Sequence, residues 1–239
     1  MGEYMAASDG PRETMRRNMK YERMAPSLLY SKVAESVSSF LSSPTRDHRI
    51  LTKCQQLLED ERDSATNATK RDNAVYALRS LEVFERSLNA LPLAGLQFQK
   101  IGPLKPMEIE GVKVSVQPTA LVTQVRPRGK NLRGAIIVDT AKGVEPKSDE
   151  ARAQATMAMT HTAYLLHELV NDRIVAEDEK PSTDHCMVFH TYRQELVASP
   201  SNYRRMLGNM KAACRDIAAR WDSIDPPPSF DPAAARYRN

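Results

Sequence analysis

Apolar residues recur at helical spacing near the start of the chain, where Leu28, Leu29, Val33, Val37 and Phe40 share one face. Ser27 stands as a candidate N-cap, and Pro44 stops the predicted helix. A second helix is predicted over residues 47–63, with Ile50, Leu51, Cys54, Leu57 and Leu58 on one side. A third, over 67–89, carries Val75, Leu78, Leu81, Val83, Phe84 and Leu88. Three prolines and two glycines then break the pattern across residues 91–106, which read as a connector between a helical region and a strand-rich one.

From Gly111 the period changes from helical to alternating. Val112, Val114 and Val116 alternate with Lys113, Ser115 and Gln117, as a half-buried strand requires. Residues 120–125 give a second strand and 134–140 a third. The third contains the run Ala135-Ile136-Ile137-Val138, whose unbroken apolarity suits a central strand covered on both faces. Ser148, Asp149 and Glu150 offer caps for a long helix reaching about residue 172. Its apolar positions cover more than half the circumference, which predicts burial between layers. Residues 185–190 read as a further strand, 195–198 as its extension or partner, and 201–224 as a last helix.

The pattern divides the chain into four parts. Residues 1–25, which mix methionines with both signs of charge, are expected to be flexible. Residues 26–106 form a helical region with its connector, and 107–224 an α/β core. Residues 225–239, with four prolines in the first eight positions, are expected to be a disordered tail.

Composition narrows the class without naming a function. Apolar residues at 41% and charged residues at 27% fit a soluble globular protein, and the net charge of +4 is too small to argue for nucleic acid by itself. Three scattered cysteines, Cys54, Cys186 and Cys214, suit reduced thiols in a cytoplasmic protein. No stretch approaches the roughly 18 apolar residues of a membrane helix, so no membrane association is expected.

The order of one helix, three strands, a helix and a strand, with Pro118-Thr119 on the second strand and Asp139 on the third, resembles the core of the PD-(D/E)XK nuclease superfamily, the RecB-type and CRISPR-associated exonucleases in particular. The resemblance implies a restriction-endonuclease-like αβββαβ core: a mixed sheet flanked by helices, behind a helical N-terminal region. In that family an acid after the proline and an acid–x–lysine pair on the next strand hold Mg²⁺, which activates water for phosphodiester hydrolysis. Here Thr119 replaces the first acid. Asp139 matches the second, Lys142 stands one place beyond the family's lysine, and Gln154 lies near the start of the following helix as the family's glutamine does. Glu35 is the one upstream acid on the early helix that could mimic the family's. Hydroxyl and amide ligands bind Mg²⁺ weakly, so the expectation is a degenerate site with no cofactor. Mg²⁺ enters only under the alternative of an active nuclease built on Asp139, Lys142 and Gln154.

Arg126, Arg128, Lys130 and Arg133 place four cations in eight residues at the predicted tip between the second and third strands. Such a loop can neutralise phosphates without reading sequence, which makes DNA or RNA a candidate partner. A protein partner or a second copy of the chain is the other reading. His185, Cys186 and His190 do not make a zinc site, because alternation puts the two histidines on opposite faces. Gln154, His161 and Glu168 recur every seven residues as a polar stripe along the long helix, which predicts hydrogen bonding at a layer or subunit interface.

Overall fold

A computed structural model describes residues 1–21, 30–141, 145–227 and 230. The three early amphipathic patterns form α3 (Ser31–Ser42), α4 (Arg49–Asp63) and α5 (Ala68–Ser87). Asn67 caps α5 by accepting a hydrogen bond from the Lys70 amide at 2.9 Å. The expected N-cap at Ser27 lies outside the described residues. Residues 1–21 are more ordered than their composition predicts, forming α1 (Gly2–Ala6) and α2 (Asp9–Tyr21). Tyr4 is almost wholly buried there, and a side chain at Gly2 would collide with Thr162 and the Ala158 carbonyl of the long helix. The order comes from tertiary contact, which a local period does not record.

The connector after α5 holds a strand. Residues Gln97–Gln99 form β1, whose Phe98 pairs with Val122. A short hairpin comes next, β2 (Met107–Ile109) and β3 (Val112–Val114), which stands apart as its own two-stranded sheet. The alternating valines therefore do not supply the first strand of the main sheet; β1 takes that place. The chain continues through β4 (Ala120–Gln124), β5 (Asn131–Asp139), α6 (Asp149–Arg173), β6 (Glu179–His190), β7 (Glu195–Ala198) and α7 (Tyr203–Arg220). The five-stranded sheet runs in the order β1-β4-β5-β6-β7. All neighbours are antiparallel except β5 and β6, which α6 connects as a parallel pair.

One face of this sheet packs under α3, α4 and α5. Val37, Phe40, Leu51, Leu81 and Phe84 from the helices share a single cluster with Phe98, Val122, Ile136 and Phe189 from the strands. A boundary near residue 106 thus cuts through a continuous core. The other face carries α6, whose Leu165, Leu166 and Leu169 cluster with Leu121, Ala135, Cys186 and, from α7, Met210 and Cys214. Ser148 caps α6, accepting from the Ala151 amide at 3.1 Å, while Asp149 and Glu150 in the first turn complement the helix dipole. Lying between the sheet and helices α1 and α7, α6 is interior, as its broad apolar surface predicts.

The β5–β6 register breaks between Arg133 and Ala135. Pro181 pairs with Arg133 and Cys186 with Ala135, so residues 182–185 of β6 oppose Gly134 alone. The His185 Nδ1 lies 2.8 Å from the Ser182 hydroxyl within this bulge. A bulge of this kind re-aims the strand without ending it.

Candidate functional site at the carboxyl ends of the central strands

The end of β5 is a place where several strand ends and turns meet. Thr119, just ahead of β4, donates its amide to the Ile136 carbonyl at 2.7 Å, and its hydroxyl accepts from the Val138 amide at 2.9 Å. The side chain thus extends the β4–β5 ladder by one bond. Ser38 of α3 closes the arrangement by donating to the Thr119 carbonyl at 2.6 Å. Where the family resemblance implies a metal-binding acid, this chain has a hydroxyl engaged in holding two strands together.

Asp139 sits next to it at the last position of β5. Its Oδ1 accepts from the Ala141 amide at 3.0 Å, and its carbonyl accepts from the amide and hydroxyl of Thr191 at 3.0 and 3.1 Å. In register across the parallel pair is His190, and across β7 from His190 is Glu195. Alternation puts Asp139 on the face of Ile137, which packs against Met159 and Ala163 of α6. From that helix Thr156 donates to Glu195, while Arg193 pairs with Glu195 at 3.1 Å and also reaches the Met159 sulfur. The His190 Nδ1 accepts from the Arg193 amide at 3.3 Å, which leaves Nε2 to carry the ring proton in the neutral form.

This grouping combines residues that the sequence presents separately. His190, Arg193, Glu195 and Thr156 carry no motif; the β5–β6 and β6–β7 registers and the packing of α6 on the sheet bring them together near Asp139. Gln154 is not among them: its amide donates to the Ala6 carbonyl at 3.1 Å, on the side of α6 that α1 covers. Lys142 lies outside the described residues. Glu35 is exposed and paired with Lys100 at 3.4 Å. Among the described residues no three His, Cys, Asp or Glu side chains converge as a metal site. Asp139, His190 and Glu195 stand in register across three strands, and a carboxylate beside an imidazole can hold or pass a proton.

The basic segment divides. Arg126, Arg128 and Lys130 are exposed in the loop between β4 and β5. The Lys130 ammonium donates to the Glu177 carbonyl, bringing the acidic turn at Glu177-Asp178 up against the loop. Arg133 is not at the tip. It belongs to β5, with only 13% of its side chain exposed, donates to Thr123 and to Gln99 (3.1 Å), and faces Glu179 at 3.7 Å. The four cations of the sequence become three that solvent can reach.

Burial sets the protonation of the polar groups here. It lowers the proton affinity of His190, against which the charge of Asp139 works, and it lowers that of His161 and His185 as well. It pushes the Cys186 thiol up to about 12, so that cysteine is inert rather than nucleophilic. The unfolded chain, with histidines near 6.5, therefore binds more protons than the native one below neutrality. What these three histidines contribute to stability is therefore complete above about pH 6.5 and is lost progressively as the pH falls below it. Thermal melts across that range should show the decline, and His190→Gln should flatten it; a melting temperature constant from about pH 7 to 5 would contradict these burial-driven shifts.

Comparison of the chain with models of protein families and with curated proteins found no match. What the fold and the site define is a class: an α/β protein with a mixed five-stranded sheet and an acid–imidazole pair at the ends of its parallel strands. None of the described helices is long and apolar enough to cross a membrane.

Proposed function

We propose that this chain is a nuclease-like αβββαβ protein that binds its partner without cutting it, and that the partner is nucleic acid contacted by Arg126, Arg128 and Lys130. Two successive antiparallel pairings, β1–β4 and β4–β5, followed by the α6 crossover to the parallel strand β6, support the core assignment. So does the placement of Pro118-Thr119 beside Val138 and Asp139. The observation that carries the non-catalytic reading is the Thr119 hydroxyl. It accepts the Val138 amide, so the position that a metal-binding acid would occupy serves the strand ladder instead. The exposed loop cations supply a sequence-independent attraction for phosphates.

Incubation of the full chain with single- and double-stranded DNA and Mg²⁺ or Mn²⁺ should leave the DNA intact. Cleavage that Asp139→Ala abolishes would overturn the non-catalytic reading. Anisotropy titrations at low salt should show binding that the Arg126→Ala/Arg128→Ala/Lys130→Ala triple variant loses. The salt slope should shrink by at most about three, the limit for three phosphate contacts on duplex DNA. Adding Arg133→Ala should change little beyond stability, since that side chain is withdrawn into the sheet.

A second reading has its own observation. Leu57, Val75 and Tyr76 are between 43% and 51% exposed on α4 and α5, the outer helical layer. If DNA binding is absent at low salt and sedimentation shows concentration-dependent association, the protein-interaction reading replaces the first.

A further inference from the structure

The basic loop between β4 and β5 lies against an acidic turn of the same chain, at the junction of α6 and β6. Both segments are closed on themselves. The Arg126 amide donates to the Asn131 side chain at 3.1 Å across the base of the loop, and Gly129 within it takes a positive φ of 84°. In the turn, residues 176–179, the Glu179 amide donates to the Ala176 carbonyl at 3.1 Å, and the Ala176 amide donates to the Glu179 carboxylate at 3.2 Å. Two contacts join turn and loop. The Lys130 ammonium donates to the Glu177 carbonyl, and Arg133, where the chain leaves the loop, faces the Glu179 carboxylate at 3.7 Å.

Arg133 takes up the charge of Glu179, which leaves Glu177 and Asp178, both exposed, as the acids that act on the loop. Covalent geometry places their charges. A glutamate carboxylate stays within about 6 Å of its own carbonyl oxygen, and so does the carboxylate of an aspartate that follows it. Both charges therefore stand within about 9 Å of the Lys130 ammonium, inside the Debye length of about 10 Å at 0.1 M salt. They offset two of the three exposed cations, Arg126, Arg128 and Lys130. Farther along β6, exposed Lys180 and Asp184 cancel in charge. The turn is also anchored, because Ile174 and Val175 just before it pack on the apolar cluster of α6 and α7.

We propose that the acidic turn is a built-in electrostatic mask of the basic loop, so that Glu177 and Asp178 lower the affinity of the loop for a phosphate backbone. This rests on the nucleic-acid reading of Arg126, Arg128 and Lys130 and adds its regulation. The mask works by repulsion and by holding Lys130. A strand that engages all three cations breaks one hydrogen bond, from Lys130 to the Glu177 carbonyl, and approaches against two fixed carboxylates. A long polyanion overcomes this through its many phosphates, whereas a short anion does not.

Fluorescence anisotropy with a labelled oligothymidylate tests the mask on three full-length chains: the unaltered one, Glu177→Gln/Asp178→Asn, and a control with the same loss of charge, Asp72→Asn/Glu82→Gln. The control changes lie on α5, whose Ser80 meets Thr140 at the opposite end of β5 from the loop. The turn variant alters only exposed side chains, conserves their size and keeps the carbonyl that Lys130 uses. It should bind at least about threefold more tightly than the unaltered chain at low salt. That advantage should shrink between about 0.01 and 0.15 M salt, as the Debye length falls from about 30 to about 8 Å. The control should bind as the unaltered chain does. Equal affinities of the unaltered chain and the turn variant, or an equal gain in the control, would overturn the mask and leave the nucleic-acid reading standing. Absence of binding by all three chains would overturn both. Binding by the turn variant alone is the expected result in its strongest form.

Discussion

Replacing Gly134 with alanine should lower stability by about 3 kcal/mol or more and the melting temperature by about 6–12 °C. A methyl group built at this position falls closer than 3.0 Å to the carbonyl oxygen, carbonyl carbon and Cβ of His185. Most of those atoms are main chain, so a rotamer change cannot relieve the overlap. Gly134 is also the one residue of β5 opposite the four-residue bulge of β6, and it pairs with Val122 of β4 on its other side. Strand β5 therefore cannot retreat without losing its second ladder. Gly208→Ala is the control. Nothing lies within 4 Å of a Cβ there, and the position is inside α7, so that substitution should be neutral or stabilise by up to about 1 kcal/mol. Equal melting temperatures for Gly134→Ala and the unaltered chain would refute the close approach of the bulge.

Truncating Phe84 to alanine should cost about 3–5 kcal/mol, the range for emptying a fully buried aromatic site. Phe84 is wholly buried in α5, edge-on to Phe40 of α3 at 6.1 Å between ring centres, in the cluster that continues into β1, β4, β5 and β6. The form of the loss is as informative as its size. Trp221, the single tryptophan, stands at the end of α7 on the opposite side of the sheet, so its fluorescence reports the far layer. If the helical layer and the sheet share one core, far-UV circular dichroism and Trp221 fluorescence should move together to lower denaturant in the variant. A dichroism transition that shifts alone would mean that α3–α5 unfold separately.

Much of the element order was legible because it rests on local periods. The helices α4 and α5 and the Ser148 cap of α6 come from spacings within a few residues. Yet Leu57 and Val75, counted with the apolar sides of those helices, are exposed, and α5 buries Ala74, Ala77 and Ser80 instead. The unbroken apolar run of β5 correctly marked a strand covered on both sides. Residues 97–99 were not legible as a strand. Three residues between prolines and glycines carry too little pattern, and Phe98 becomes a core residue only when β4 pairs with it. The valines of 112–116 showed the opposite failure. Their alternation is real, yet alternation does not say which sheet a strand joins, and these pair with residues 107–109. Residues 1–21 lack a sustained apolar period, and their helices are held by single contacts instead: Tyr4 and Arg16 to Asp216, and Lys20 to the Trp221 carbonyl at 2.7 Å.

For the candidate sites the division is sharper. From its residues alone the sequence determined that Thr119 follows Pro118 just ahead of an apolar strand, that Asp139 ends the next one, and that a cationic loop joins the two. Those are facts of identity and local order, and no folding is needed to read them. Only the tertiary structure decided that the Thr119 hydroxyl completes a ladder, that His190 and Glu195 stand beside Asp139, that Gln154 turns to α1, and that Arg133 leaves the loop for the sheet. The same holds for the contact of Arg16 with Asp216, which are 200 residues apart. Register and layer packing place residues far apart in the chain within hydrogen-bond reach, and both are set by the burial of whole faces rather than by any local spacing.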